Sequence, residues 1–114
     1  MTGEYRRRLI DGVLDELISG LPAIALTGAR AVGKTATGSR RARTVISAEN
    51  ASSREVLAAD PDVISQWERP VFIDEWQLVP DVWNSVRRAV DNNPGVTGMF
   101  LLAGSATAPP DARL

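Results

Sequence analysis

The sequence predicts an α/β domain built on a mainly parallel sheet, and three observations carry that expectation. Short apolar runs at residues 22–27, 70–74 and 99–103 are bounded by Pro, Gly or Asp, the pattern of strands buried on both faces. Segments with helical spacing stand between them, and strands alternating with helices define parallel sheets joined by right-handed crossovers. A glycine-bearing loop, residues 28–33, joins the first apolar run to a helical segment.

Each element follows from its residues. In residues 7–19, Leu9, Ile10, Val13, Leu14, Leu17 and Ile18 share one helical face with Asp11, Asp15 and Glu16 opposite, and Gly20 closes this amphipathic helix. Residues 22–27 (Pro-Ala-Ile-Ala-Leu-Thr) form the first strand. Residues 34–42 are expected to be a short helix, although Gly38 in its interior costs about 1 kcal/mol relative to Ala. Residues 44–47 are the second strand. Ser52 and Glu55 fit a capping box, so a helix is expected to begin near Ser53. Asp60 ends that helix and caps another, with Pro61 in its first position. Residues 70–74 (Pro-Val-Phe-Ile-Asp) form a third, central strand. Val82, Trp83, Val86, Ala89 and Val90 make the buried stripe of a helix that starts near Asp81 and stops at the turn Asn92-Asn93-Pro94-Gly95. Residues 99–103 are the fourth strand, and residues 106–114 have loop character. There is no internal repeat.

Composition narrows the function. The 114 residues suit one domain, and 44% apolar with 24% charged residues is the balance of a globular chain. A formal net charge of -1 offers no overall field for nucleic acid. Without cysteine or histidine there is no disulfide framework, thiol nucleophile, zinc finger or Ser-His-Asp triad, which leaves carboxylate, hydroxyl and lysine chemistry. The uncharged run 92–110 is too polar to span a bilayer, and Asp11, Asp15 and Glu16 interrupt any signal-peptide core, so a cytoplasmic location is expected. Lys34 is the only lysine among the 13 cationic residues.

That lysine lies in Gly28-Ala29-Arg30-Ala31-Val32-Gly33-Lys34-Thr35, a full match to G-x-x-x-x-G-K-[ST] placed after an apolar strand and before a helix. Gly28 and Gly33 permit backbone conformations that a Cβ would hinder, so that amides can point inward and cradle polyphosphate at a helix start. The residues assigned to a nucleotide are Gly28, Ala31, Val32, Gly33, Lys34, Thr35 and Ala36. Lys34 is expected to reach the β and γ phosphates, and the Thr35 hydroxyl to bind magnesium. A second element, Val71-Phe72-Ile73-Asp74-Glu75, ends an apolar strand in two carboxylates, the Walker B pattern. Asp74 is assigned to magnesium and Glu75 to the attacking water. Between these motifs there is room for one helix, one strand and a helical pair, which allows another strand to lie between the two motif strands. A third element, Phe100-Leu101-Leu102-Ala103-Gly104-Ser105-Ala106-Thr107, leaves two readings of Ser105: a contact to the attacking water or γ phosphate, or an ordinary strand terminus. Arg6-Arg7-Arg8 and Arg40-Arg41-Arg43 read as solvated helix ends, and Trp67, Trp76 and Trp83 as core or interface anchors.

The ordered set G-A-R-A-V-G-K-T, V-F-I-D-E-W-Q and F-L-L-A-G-S-A-T resembles the AAA+ superfamily of P-loop ATPases. More narrowly it is similar to the prokaryotic AAA-domain proteins in which this module precedes an uncharacterised, nuclease-like C-terminal domain. Their I-D-E-x-Q and L-x-G-S segments correspond to Ile73-Asp74-Glu75-Trp76-Gln77 and Leu102-Ala103-Gly104-Ser105. The resemblance implies a three-layer sandwich, phosphate binding by Lys34, magnesium at Thr35 and Asp74, Glu75 as the catalytic carboxylate and Ser105 as the sensor residue. It also implies that a fifth strand, an arginine finger, a lid and the C-terminal domain belong after the sensor strand. The chain is therefore expected to be a single partial domain, incomplete at its C-terminus. Its parts are a helix and linker at 1–21, a nucleotide-binding core at 22–105 and a tail at 106–114, with the first strand left as an apolar sheet edge. The expected function is binding of MgATP and, in a complete protein, its hydrolysis. A nucleotide-binding module without turnover and a P-loop small-molecule kinase are the alternatives, and the Glu beside the Walker B Asp favours hydrolysis over the kinase. ATP, a second copy of the chain and the missing C-terminal domain are the expected partners.

Overall fold

Strands β1 (Ala23–Leu26), β2 (Thr44–Ser47), β3 (Val71–Asp74) and β4 (Phe100–Ala103) form an all-parallel sheet in the order β1-β4-β3-β2. These elements come from a computed structural model, which describes residues 15–26 and 38–104. The phosphate-loop motif, residues 1–14 and Ser105 lie outside the described residues. The sheet order inserts β4 between β1 and β3, as the spacing between the two motifs allowed, and sets β3 in the middle. β1 is an edge of the described sheet, although Ala23 and Ile24 are buried.

Alternation along the strands sorts their side chains onto two faces. Ala23, Val71, Ile73, Phe100 and Leu102 point to one face. There they meet α1 (Ala51–Ala59), α2 (Asp81–Asn92) and the 3₁₀ segments Pro61–Gln66 and Trp76–Leu78 through Leu57, Ile64, Trp76, Val82, Trp83, Val86 and Ala89. Ile24, Phe72, Leu101 and Ala103 point to the other face, against Ile18 and Ala42. Residues 15–20 and 38–41 are helical on that side, so the layers are helix, sheet, helix. Each fully buried Val, Leu, Ile or Phe contributes about 1.5–3 kcal/mol, and β3 carries three such residues in a row at 0% exposure.

Local chemistry sets the element ends. α1 begins two residues earlier than the capping box predicts, because Asn50 Oδ1 accepts the Ser53 amide at 3.1 Å and is the cap itself. Ser52 lies inside the helix. Asparagine caps as well as serine does, and the first residue able to close the free amides sets the boundary. Asp60 caps the following turn as expected, its Oδ1 accepting the Asp62 amide at 3.2 Å with Pro61 in the first position. That turn is 3₁₀ rather than α. α2 buries Val82, Trp83, Val86 and Ala89 as its stripe predicts, together with Ser85, while Val90 is only partly buried. Gly38 also has a packing reason: a Cβ there would stand 2.8 Å from the Phe72 ring. Of the N-terminal stripe, Ile18 packs on the sheet but Leu17 is 37% exposed. Among the described residues no helix is long and apolar enough to cross a membrane.

Candidate functional site

The four strands end level with one another. Leu26 is in register with Ala103, Ala103 with Asp74, and Asp74 with Ser47, so Asp74 stands two strands, about 10 Å, from the end of β1. Ladder bonds continue one step past this row. The Gly104 amide donates to Leu26 O at 3.2 Å, and the Ala48 amide to Asp74 O at 3.0 Å. The backbone on either side of the carboxyl edge is thereby held, and open parallel sheets take their ligands in the crevice outside this edge.

Asp74 is half-buried and follows Phe72 by two residues, which puts it on the face that residues 38–41 cover. Its Oδ1 accepts the Glu75 amide at 3.0 Å. β3 must then turn sharply, because the next residue, Trp76, is buried on the opposite face. There its ring lies 5.0 Å from that of Trp83, tilted by 37°. Glu75 absorbs the turn in the left-handed region, at φ 52° and ψ 43°. A non-glycine residue held there costs about 1–2 kcal/mol, and such strained residues cluster at functional sites.

The 3₁₀ turn Trp76–Leu78 brings Gln77 back beneath the carboxylate, and Gln77 Nε2 donates to Glu75 Oε2. The rest of the glutamine amide lies against Gly104, the residue that leaves β4. A Cβ on Gly104 would meet Gln77 Oε1 at 2.1 Å and Trp76 Nε1 at 3.5 Å. Both of those polar atoms are buried without a hydrogen-bond partner, as is Trp83 Nε1. The sequence contains Gln77 and Gly104 inside its second and third motifs but assigns neither a role. Their shared signal is position: a glutamine two residues past the paired carboxylates, and a glycine at the exit of a buried strand.

The carboxyl edge thus joins Asp74 and Glu75 to the end of β1, from which the phosphate-loop motif departs. The family model of the AAA domain matches residues 21–109. The chain belongs to the AAA domain family. No curated protein and no solved structure matches it.

An AAA domain is a nucleotide-binding, P-loop ATPase-like unit, and the matched span of this one includes residues 28–36, Asp74, Glu75 and Ser105. Of those residues, Asp74 and Glu75 are described and stand together at the sheet edge. Gly28, Ala31, Val32, Gly33, Lys34, Thr35, Ala36 and Ser105 lie outside the described residues. In this AAA domain Arg41, near the second strand, pairs with Asp15 at 2.6 Å and ties the two helical segments of one face together. Trp76 and Trp83 are core residues, and Trp67 packs partly buried against the same cluster.

Proposed function

We propose that this AAA domain binds MgATP along the carboxyl edge of its sheet and that Glu75 activates water for hydrolysis of the γ phosphate. The observation that carries this reading is the row formed by Leu26, Ala103 and Asp74 together with the seat of Gly38 on Phe72. The motif 28–35 is tethered at both of these points. Gly28 follows Leu26 by two residues, and Thr35 precedes Gly38 by three, a reach of at most about 11 Å. Asp74 lies on that same face, two residues beyond Phe72.

The assignments follow from chemistry. Backbone amides of Gly28, Ala31, Val32, Gly33, Lys34, Thr35 and Ala36 would bind phosphate oxygens, with Lys34 at the β and γ phosphates. Thr35 and Asp74 would hold magnesium. A single half-buried carboxylate beside the phosphates suits an ion that keeps several waters and takes few protein ligands. When bound there, magnesium would offset the negative charge of the phosphates. Glu75 takes the proton from water as the water oxygen bonds to the γ phosphorus. The bond from that phosphorus to the bridging oxygen breaks, and ADP leaves with the electron pair. Ser105, next after Gly104, is assigned to sensing the γ phosphate. An arginine finger supplied by a second copy of the chain would add about 10³ to 10⁵ in rate, and turnover without one is slow.

The test is equilibrium binding of a fluorescent ATP analogue with magnesium to the chain and to Lys34→Ala. Loss of a charge-assisted contact worth about 1.5–3 kcal/mol predicts affinity lower by roughly 10- to 100-fold in the variant. Equal affinity in the two proteins would sink the reading.

A further inference from the structure

We infer that Gln77 is a positioning residue for the hydrolytic carboxylate: its amide, seated against Gly104 at the exit of β4, holds Glu75 in the orientation from which it takes a proton. This inference rests on Glu75 being the base.

Three observations bear on it. Gln77 Nε2 donates to Glu75 Oε2, and this fixes the sense of the amide, since the reverse would set an oxygen against a carboxylate. Gln77 Oε1 is buried with no partner, and leaving such an acceptor unpaired costs about 1–3 kcal/mol. Met or Leu would fill a similar volume without that cost, so packing does not account for glutamine here. What glutamine adds is the N–H donor aimed at Glu75. Third, the seat exists only because residue 104 has no Cβ: Oε1 would lie 2.1 Å and Cδ 3.1 Å from one. This obstacle would be fixed to backbone that the Gly104–Leu26 hydrogen bond holds in the sheet.

The consequence is a mechanical link across the site. Glu75 sits in a strained backbone conformation, Gln77 donates to its carboxylate, and the Gln77 amide is seated against Gly104. Gly104 immediately precedes Ser105. A shift at the end of β4 therefore bears on Gln77, and through it on the orientation of Glu75. One amide donor occupies one of the roughly four lone-pair sites of a carboxylate, so this bond by itself does not keep water from Glu75.

The link is tested in two ways on the full chain. In amide NMR spectra of the ¹⁵N-labelled protein, Glu75→Ala removes the acceptor and will move the Gln77 side-chain amide pair. Gly104→Ala, which leaves Glu75 in place, will move the same pair in the same direction. No movement in Gly104→Ala would overturn the inference without any need for turnover. In steady-state hydrolysis, Gln77→Met will lower kcat about 10-fold or more with KM for ATP within about twofold, because orientation rather than binding is lost. The double variant Gly104→Ala/Gln77→Met will fall no further than the single variants, since all act through one contact. A matching rise in KM would mark general damage to the site and count against the positioning role. Unchanged kcat in Gln77→Met beside lost kcat in Glu75→Gln would remove the role and leave the base assigned. Wild-type turnover equal to that of Glu75→Gln would remove the base itself, and the role of Gln77 with it.

Discussion

Two adjacent carboxylates at the end of β3 face different ways because the backbone turns sharply at the second. Asp74 keeps the face set by strand alternation, whereas Glu75 adopts left-handed geometry and projects at the turn, so neighbours in sequence address different atoms. Glu75→Gln keeps shape and polarity but cannot accept a proton. Binding of ATP is expected to stay within about twofold of wild type, while hydrolysis falls by roughly 10² to 10⁴, the usual contribution of a general base. Turnover that survives in this variant would remove Glu75 from the mechanism. Asp74→Asn should weaken nucleotide binding only when magnesium is present. Comparing affinity in magnesium and in a chelator checks this, and an equal loss in both would make Asp74 structural.

At the scale of elements, Gly38 reverses a common rule. An exposed glycine in a helix costs about 1 kcal/mol relative to alanine, so Gly→Ala normally stabilises. Here the added methyl would press on three Phe72 ring atoms at 2.8–2.9 Å, and Phe72 is fully buried within the central strand. Gly38→Ala should therefore destabilise by about 1–3 kcal/mol, the cost of overpacking. Urea denaturation measures it, and an unchanged or raised midpoint would disprove the contact. On the other face, Arg88 joins α2 to the 3₁₀ segment Pro61–Gln66, donating to Asp62 at 2.8 Å and to Ser85 at 3.1 Å. The hydrogen bond from Arg88, followed by that from Ser85, holds the Asp62 carboxyl below its ordinary value of 3.8. A depressed folded value means that the group stabilises the fold above pH 3.8, and that this contribution is lost as pH falls below it through the folded value. The pair is exposed, so the effect is small. Asp62→Asn should lower the melting temperature slightly at pH 7, by a difference that shrinks as pH falls below 3.8; a constant difference would show that the pair does not titrate with folding.

For the molecule as a whole, the sheet order decides what a bound nucleotide can do to stability. The phosphate-loop motif joins edge strand β1 to a helical segment seated on central strand β3, with β4 between them. A ligand bound along this edge is expected to stabilise three of the four strands together. At 100 times its dissociation constant a ligand that binds only the folded state adds about 2.7 kcal/mol, or roughly 10 °C for a domain of this size. Thermal melts with MgATP should show that rise in wild type and not in Lys34→Ala. A rise of the same size in both would mean that the stabilising nucleotide contacts lie elsewhere.

Much of this arrangement is legible in the residues. Apolar runs located β1, β3 and β4 to within two residues, because a strand buried on both faces admits almost nothing polar. The same logic located α2, whose stripe of Val82, Trp83, Val86 and Ala89 is buried. The end of β3 also marked Asp74 and Glu75, since carboxylates at the close of an apolar run have to leave the core. Local periodicity and motif spacing are thus enough for the fold class, the strand positions and the candidate chemistry. Contacts that need two distant segments to meet emerge from the folded chain alone. Gly38 packs against a ring 34 positions away, and the Gln77 amide is seated against a glycine 27 positions further on. Such contacts leave no periodic trace, because steric clearance between side chains is a property of their separation in space and not of their order along the chain.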